Sequence, residues 1–171
     1  MGSARQASNG PLLPRAPTLW LFPLAFALHN LEEGLWLPEW SRHAGRFHVP
    51  VGAAEFRFAV AVLTAFGVLL TAQARRHGGH WFHALTAVWA VMLLNILFPH
   101  LLATVVLGRY APGLATALLL ILPVDTYLLR RAFSEGVLTA RDFARACALV
   151  IPAMLGAIPL LFWLGRRIFG A

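Results

Sequence analysis

The chain is 171 residues long, 59% hydrophobic and only 12% charged, with a mean hydropathy of +0.70. A soluble domain carries about 25% charged residues, so this is a membrane composition, with room for one bundle of about four to six helices and no separate soluble domain. The net charge of +7 comes from arginine alone, and those arginines fall in short loops rather than on one basic face, which argues against a nucleic-acid partner and for anionic lipid headgroups.

In chain order, residues 1–16 read as a disordered lead, and a single transmembrane domain follows over 17–168. Its first helix is expected at about 18–37, opened by Thr18 and closed near Pro38. A polar connection holds Glu39, Arg42, His43, Arg46 and His48. Further apolar helices are expected at about 53–74, 81–107, 114–133 and 143–168, separated by Arg75-Arg76-His77-Gly78-Gly79, by a turn at Gly108–Gly113 and by a polar stretch after Phe133. Each has about the 20 residues that cross a hydrocarbon core. The fold class is therefore all-α, a polytopic transmembrane bundle of about five helices. Trp20, Trp36, Trp40 and Trp81 fall near segment ends, as an aromatic belt requires. Five crossings put eight arginines on the N-terminal side and six on the other, which favours a cytoplasmic N-terminus. Cys147 stands alone, so no disulfide can form within the chain, and it reads as a small apolar helix residue.

Within the first helix lies His29-Asn30-Leu31-Glu32-Glu33. Ionisable residues at membrane depth are costly, and they mark functional sites by default. At about 100° per residue, Glu32 lies about 60° to one side of His29 and Glu33 about 40° to the other, so one cavity is within reach of all three. At 1.5 Å per residue these groups, together with Asn95, His100 and Glu55 from two other helices, fall in the half of the membrane far from the N-terminus. Pro99 cannot donate to the carbonyl of Asn95, so a kink is expected there.

His29-x-x-Glu32-Glu33, followed by Asn95 and His100 in a later apolar segment and by a Tyr110-x-Pro112-Gly113 turn, resembles the HXXEE family of bacterial integral membrane proteins. The resemblance covers roughly residues 19–165. It implies the membrane architecture, a bacterial inner-membrane location, and His29, Glu32, Glu33, Asn95 and His100 as the residues to watch. The family is one of unknown function, so the resemblance implies no activity.

Two imidazoles, from His29 and His100, and one or two carboxylates, from Glu32 and Glu33, suit a single zinc, iron or manganese ion. In that arrangement one glutamate ligates and the other acts as general base toward water, while Asn95 supports the ligands or polarises a substrate carbonyl. The chemistry expected is hydrolysis or hydration, or a redox reaction if the metal is iron, on a lipid-soluble small molecule. Two alternatives stay open from the residues alone. One is a small transporter of protons, metal or solute using the same site, for which five helices are few unless the chain forms a homo-oligomer. The other is a structural membrane factor with a hydrogen-bonded interhelical clasp. Asp125 is expected to pair with Tyr127 or Arg130, or else to serve as a further ligand or proton relay. Glu55 and Arg57 mark an interface or cap the site. His77, His80 and His83 have metal-like spacing but read as a solvated loop at the opposite face.

Overall fold

The computed structural model describes residues 12–45 and 50–169; the first eleven residues of the expected lead, and Arg46 and His48 of the polar connection, lie outside the described residues. Five helical rods account for nearly everything else, and no strand occurs among the described residues. The first rod is a 3-10 turn, Pro17–Trp20, running into α1, Leu21–Ser41. The second is α2, Ala53–His77. The third comprises α3, Gly79–Asn95, a π-type segment, Ile96–Leu101, and α4, Leu102–Leu107. The fourth comprises α5, Leu114–Thr116, a second π-type segment, Ala117–Ile121, and α6, Leu122–Ser134. The fifth is α7, Ala140–Phe169.

Three of these rods, 53–77, 79–107 and 140–169, are long and apolar enough to cross a membrane by length and composition. The other two depart for a physical reason each. The first rod carries the polar groups of the site, and the fourth carries three charged residues, Asp125, Arg130 and Arg131. The rods pack in the cyclic order first, second, fifth, third, fourth, with the fourth returning to the first and the second also touching the third. The shared core includes Phe22, Phe26, Leu85, Trp89, Ile121 and Leu128. The outer faces of α1, α4 and α7 present Leu24, Val105 and Leu149 to the surroundings.

The rod ends sort onto two levels. Arg75 lies over the Trp20 ring, and the Arg131 guanidinium donates to Thr18 Oγ1, which gathers the start of the first rod with the ends of the second and fourth. Arg109 lies over the Trp40 ring and donates to the His43 carbonyl, and Arg166 donates to Glu55 Oε2; the other ends meet there.

The structure corrects two of the sequence expectations about chain ends. Residues 12–16 are not a disordered lead: Leu13–Arg15 forms a 3-10 turn, Leu13 is fully buried, and its N–H donates to Glu135 Oε2 at 2.6 Å. Pro38 does not close α1, which continues to Ser41. A helical proline leaves the carbonyl four residues back without its donor, here that of Gly34. Arg57 Nε donates to that carbonyl at 3.0 Å. In the third rod the interruption does fall beside Pro99, where Phe98 leaves the helical region with φ −135° and ψ 121°.

Candidate metal centre

His29 and Glu33 are one turn apart on α1, and His100 comes from the π-type segment, two residues past the break at Phe98 within it. His29 Nε2 lies 3.7 Å from Glu33 Oε1, and His100 Nε2 lies 3.2 Å from the same oxygen. The two imidazoles meet edge to face at a centroid distance of 5.2 Å. Both rings are buried, while the Glu33 side chain keeps 14% exposure. Asn95 Nδ2 donates to His100 Nε2 at 2.9 Å and approaches His29 Nε2 at 3.5 Å.

The proton on His29 can be located from its other side. The ring's Nδ1 lies 3.1 Å from Thr116 Oγ1, and that hydroxyl lies 2.5 Å from Glu32 Oε2. A carboxylate only accepts, so the single hydroxyl proton of Thr116 goes to Glu32. Thr116 then accepts from His29, which places a proton on Nδ1; in the neutral ring the lone pair is then on Nε2, facing Glu33 and His100. The Asn95 donor requires a lone pair on His100 Nε2 as well. Two ring nitrogens and a carboxylate oxygen thus converge on one point; the Asn95 N–H serves the His100 lone pair, and a cation ligated there would take its place, while His29 Nε2 and Glu33 Oε1 repel unless a proton or a cation lies between them.

The donor atoms of His29, Glu33 and His100 all lie within 4.8 Å of one another, the one such group of three or more among the described residues. Ligands about 2.0–2.1 Å from a tetrahedral zinc stand about 3.3 Å apart, so separations of 3.2 and 3.7 Å suit the set.

Glu32 does not join this group, contrary to the expectation that it ligates or acts as a base. Both its oxygens are engaged at the start of the fourth rod. Oε1 accepts from the Gly113 N–H at 2.9 Å and from the Tyr110 hydroxyl; Oε2 accepts from the Thr116 N–H at 3.0 Å and from the Thr116 hydroxyl. A carboxylate is a natural occupant of a helix start, where N–H groups lack intrahelical partners. The offset of about 60° from His29 turns Glu32 onto the neighbouring rod instead of into the cavity.

Sequence reasoning did not single out Thr116, and it quoted Tyr110 and Gly113 only as part of a turn. Gly113 is what lets the rings approach. A Cβ there would stand 2.5 Å from His100 Cε1 and 3.0 Å from His29 Cε1, and its φ is +94°. The legible signal was Pro112-Gly113 opening an apolar helix, with a hydroxyl three residues on.

The remaining polar candidates are elsewhere. Glu55 caps α2 through the Gly52 N–H at 2.5 Å and pairs with Arg166. His80 and His83 are on the first turns of α3 rather than in a loop, and with His77 they form no ligand group among the described residues. Asp125 is fully buried, and neither oxygen has a hydrogen-bond partner. It pairs with neither Tyr127 nor Arg130, which line an outer trough while Asp125 shares the inner face with Leu128 and Ala132.

The family model described as "Protein of unknown function with HXXEE motif" matches residues 20–128. The chain belongs to the HXXEE family. The uncharacterized protein YrkK of Bacillus subtilis (strain 168) is 38% identical over 153 residues, spanning 86% of this chain and 94% of that protein. No solved structure matches. The two glutamates of the family's motif, adjacent in sequence, face different neighbours here. The first joins rods one and four, and the second meets the histidines.

Proposed function

We propose that this HXXEE protein is a metal-dependent enzyme of the bacterial inner membrane, acting on a lipid-soluble substrate. The observation that carries the reading is the convergence of His29 Nε2, His100 Nε2 and Glu33 Oε1. Zinc, iron or manganese suits two imidazoles and a carboxylate, with a position left for substrate. Such an ion supplies Lewis-acid chemistry, and redox chemistry if it is iron. Hydrolysis or hydration, or oxidation with iron, is the reaction class.

The chain's own residues divide the work. Glu32, acting through Thr116, holds His29 in the tautomer that presents Nε2 and stabilises positive charge on the ring, an arrangement that raises ligand basicity in metal sites. Asn95 places its amide at the same point, where it orients a polar substrate group. Gly113 gives the rings their space. The topology read from the arginines puts the N-terminus in the cytoplasm, which places the centre nearer the external face.

The test is elemental analysis of detergent-purified protein against the His29→Ala/Glu33→Ala double variant. About one equivalent of zinc, iron or manganese is expected in the wild type and close to none in the variant. Equal content in both proteins, or no metal in a folded wild type, would remove the reading. In the second case a proton shared by Glu33 and the histidines becomes the better account.

A further inference from the structure

Several hollows adjoin the bundle, and among those lined by the described residues one opens onto the converging donor atoms. The largest is an outer trough along the fourth rod that touches no site residue. The second, lined by Leu31, Trp36 and Tyr110, reaches only Glu32 and Thr116, whose polar atoms are engaged with each other. The one that meets the donor atoms, of about 280 Å³, lies between α1, α2, α3 and α7, with His29, Glu33 and Asn95 in its wall. The rest of that wall is almost entirely apolar, including Phe56, Leu63, Met92 and Ile158. Two further lining residues face outward: Phe98 is 62% exposed and Leu155 65% exposed. Phe98 is where the third rod leaves helical geometry, so the break that positions His100 also interrupts the bundle wall.

We infer that this chamber receives one single-chain lipid, entering sideways from the bilayer between Phe98 and Leu155, with an oxygen-bearing end group seated at His29, Glu33 and Asn95. The inference rests on the reading of that cluster as the reactive centre and names its substrate class. The polar groups are confined to one part of an apolar wall, which matches an amphiphile with one polar end and no second charged group. The mouth is flanked by exposed apolar side chains, a poor entry for a water-soluble molecule and a good one for a molecule already in the hydrocarbon. The volume lies just below the ~300–1,000 Å³ of pockets that enclose drug-sized ligands, which leaves no room for a two-chain phospholipid. The remainder of a long chain trails through the mouth into the bilayer.

The experiment uses a photoactivatable long-chain alcohol, with the diazirine near the hydroxyl, added to the full-length protein in lipid nanodiscs, with labelled peptides mapped by mass spectrometry. The expected result is labelling of chamber-wall peptides around Phe56, Met92 and Met154, reduced about tenfold in Ile158→Trp, which fills the chamber, and unchanged in Leu149→Trp, which adds the same ring to the outer face of α7. Should Ile158→Trp fail to fold, Leu155→Trp at the exposed mouth decides in the same way. Labelling confined to outer surfaces, or unaffected in a folded chamber variant, overturns the inference. Metal content is measured on the same samples. Labelling that persists without bound metal supports the chamber and counts against the metal reading alone; bound metal without chamber labelling does the reverse.

Discussion

The two glutamates of the motif differ because one residue of helix is 100° of rotation, and their substitutions should differ accordingly. Glu33→Gln is expected to abolish metal binding. Glu32→Gln and Thr116→Val are expected to weaken it about 10–100-fold while leaving the ligands in place, as substitutions behind metal-bound histidines do; competition with a chelating dye measures this. Gly113→Ala is expected to lose metal and about 1–2 kcal/mol of stability by thermal unfolding in detergent, because a side chain is strained at φ +94° and meets both imidazoles. Asp125 predicts the opposite sign. Its carboxyl is buried without a partner on a face shared with Leu128 and Ala132, so Asp125→Leu should raise stability by about 1–3 kcal/mol and leave metal content unchanged. His29, Glu33, Asn95 and His100 were legible as a group because each is polar at membrane depth. The roles of Glu32 and Thr116 were not, since they depend on which rod lies beside α1.

Among the elements, the rods show how irregular backbone is accommodated in an apolar setting. The Pro38 case predicts a coupling. Arg57→Leu should cost about 1–3 kcal/mol by stranding the Gly34 carbonyl, and Pro38→Ala in that background should recover much of it, since the new N–H reaches the same carbonyl. Additive effects of the two substitutions would contradict this account. A proline reads in sequence as a helix end, and only the neighbouring α2 reveals that its effect has been offset. Pro99 behaved as its local chemistry suggests, with non-helical backbone at Phe98. The early start of the ordered chain was hidden for a different reason: the Leu13 N–H finds its acceptor at Glu135, far away in sequence, and composition at 12–16 carries no trace of that partner.

For the whole molecule, the alternation of rod ends was legible, because the loop signals between apolar segments mark where each rod stops and the next begins. The cyclic packing order was not, since it depends on which outer faces match. Pairing of Arg75 with Trp20 and of Arg109 with Trp40 defines the two levels, and the topology predicts that cysteines placed at Glu135 and at Arg42 in a cysteine-free background react from opposite sides of the membrane. With a cytoplasmic N-terminus, the Arg42 position is the one labelled by an impermeant maleimide in intact cells. Labelling of both positions from one side would break the five-crossing arrangement and with it the gathering of His29, Glu33 and His100 at one depth.

The most direct measurement of the central claim is X-ray absorption at the metal edge of the purified protein. The account predicts two imidazole nitrogens and carboxylate oxygen at about 2.0–2.2 Å, falling to one imidazole in His100→Ala. A bound metal without imidazole scattering, or a spectrum unchanged by His100→Ala, would contradict it.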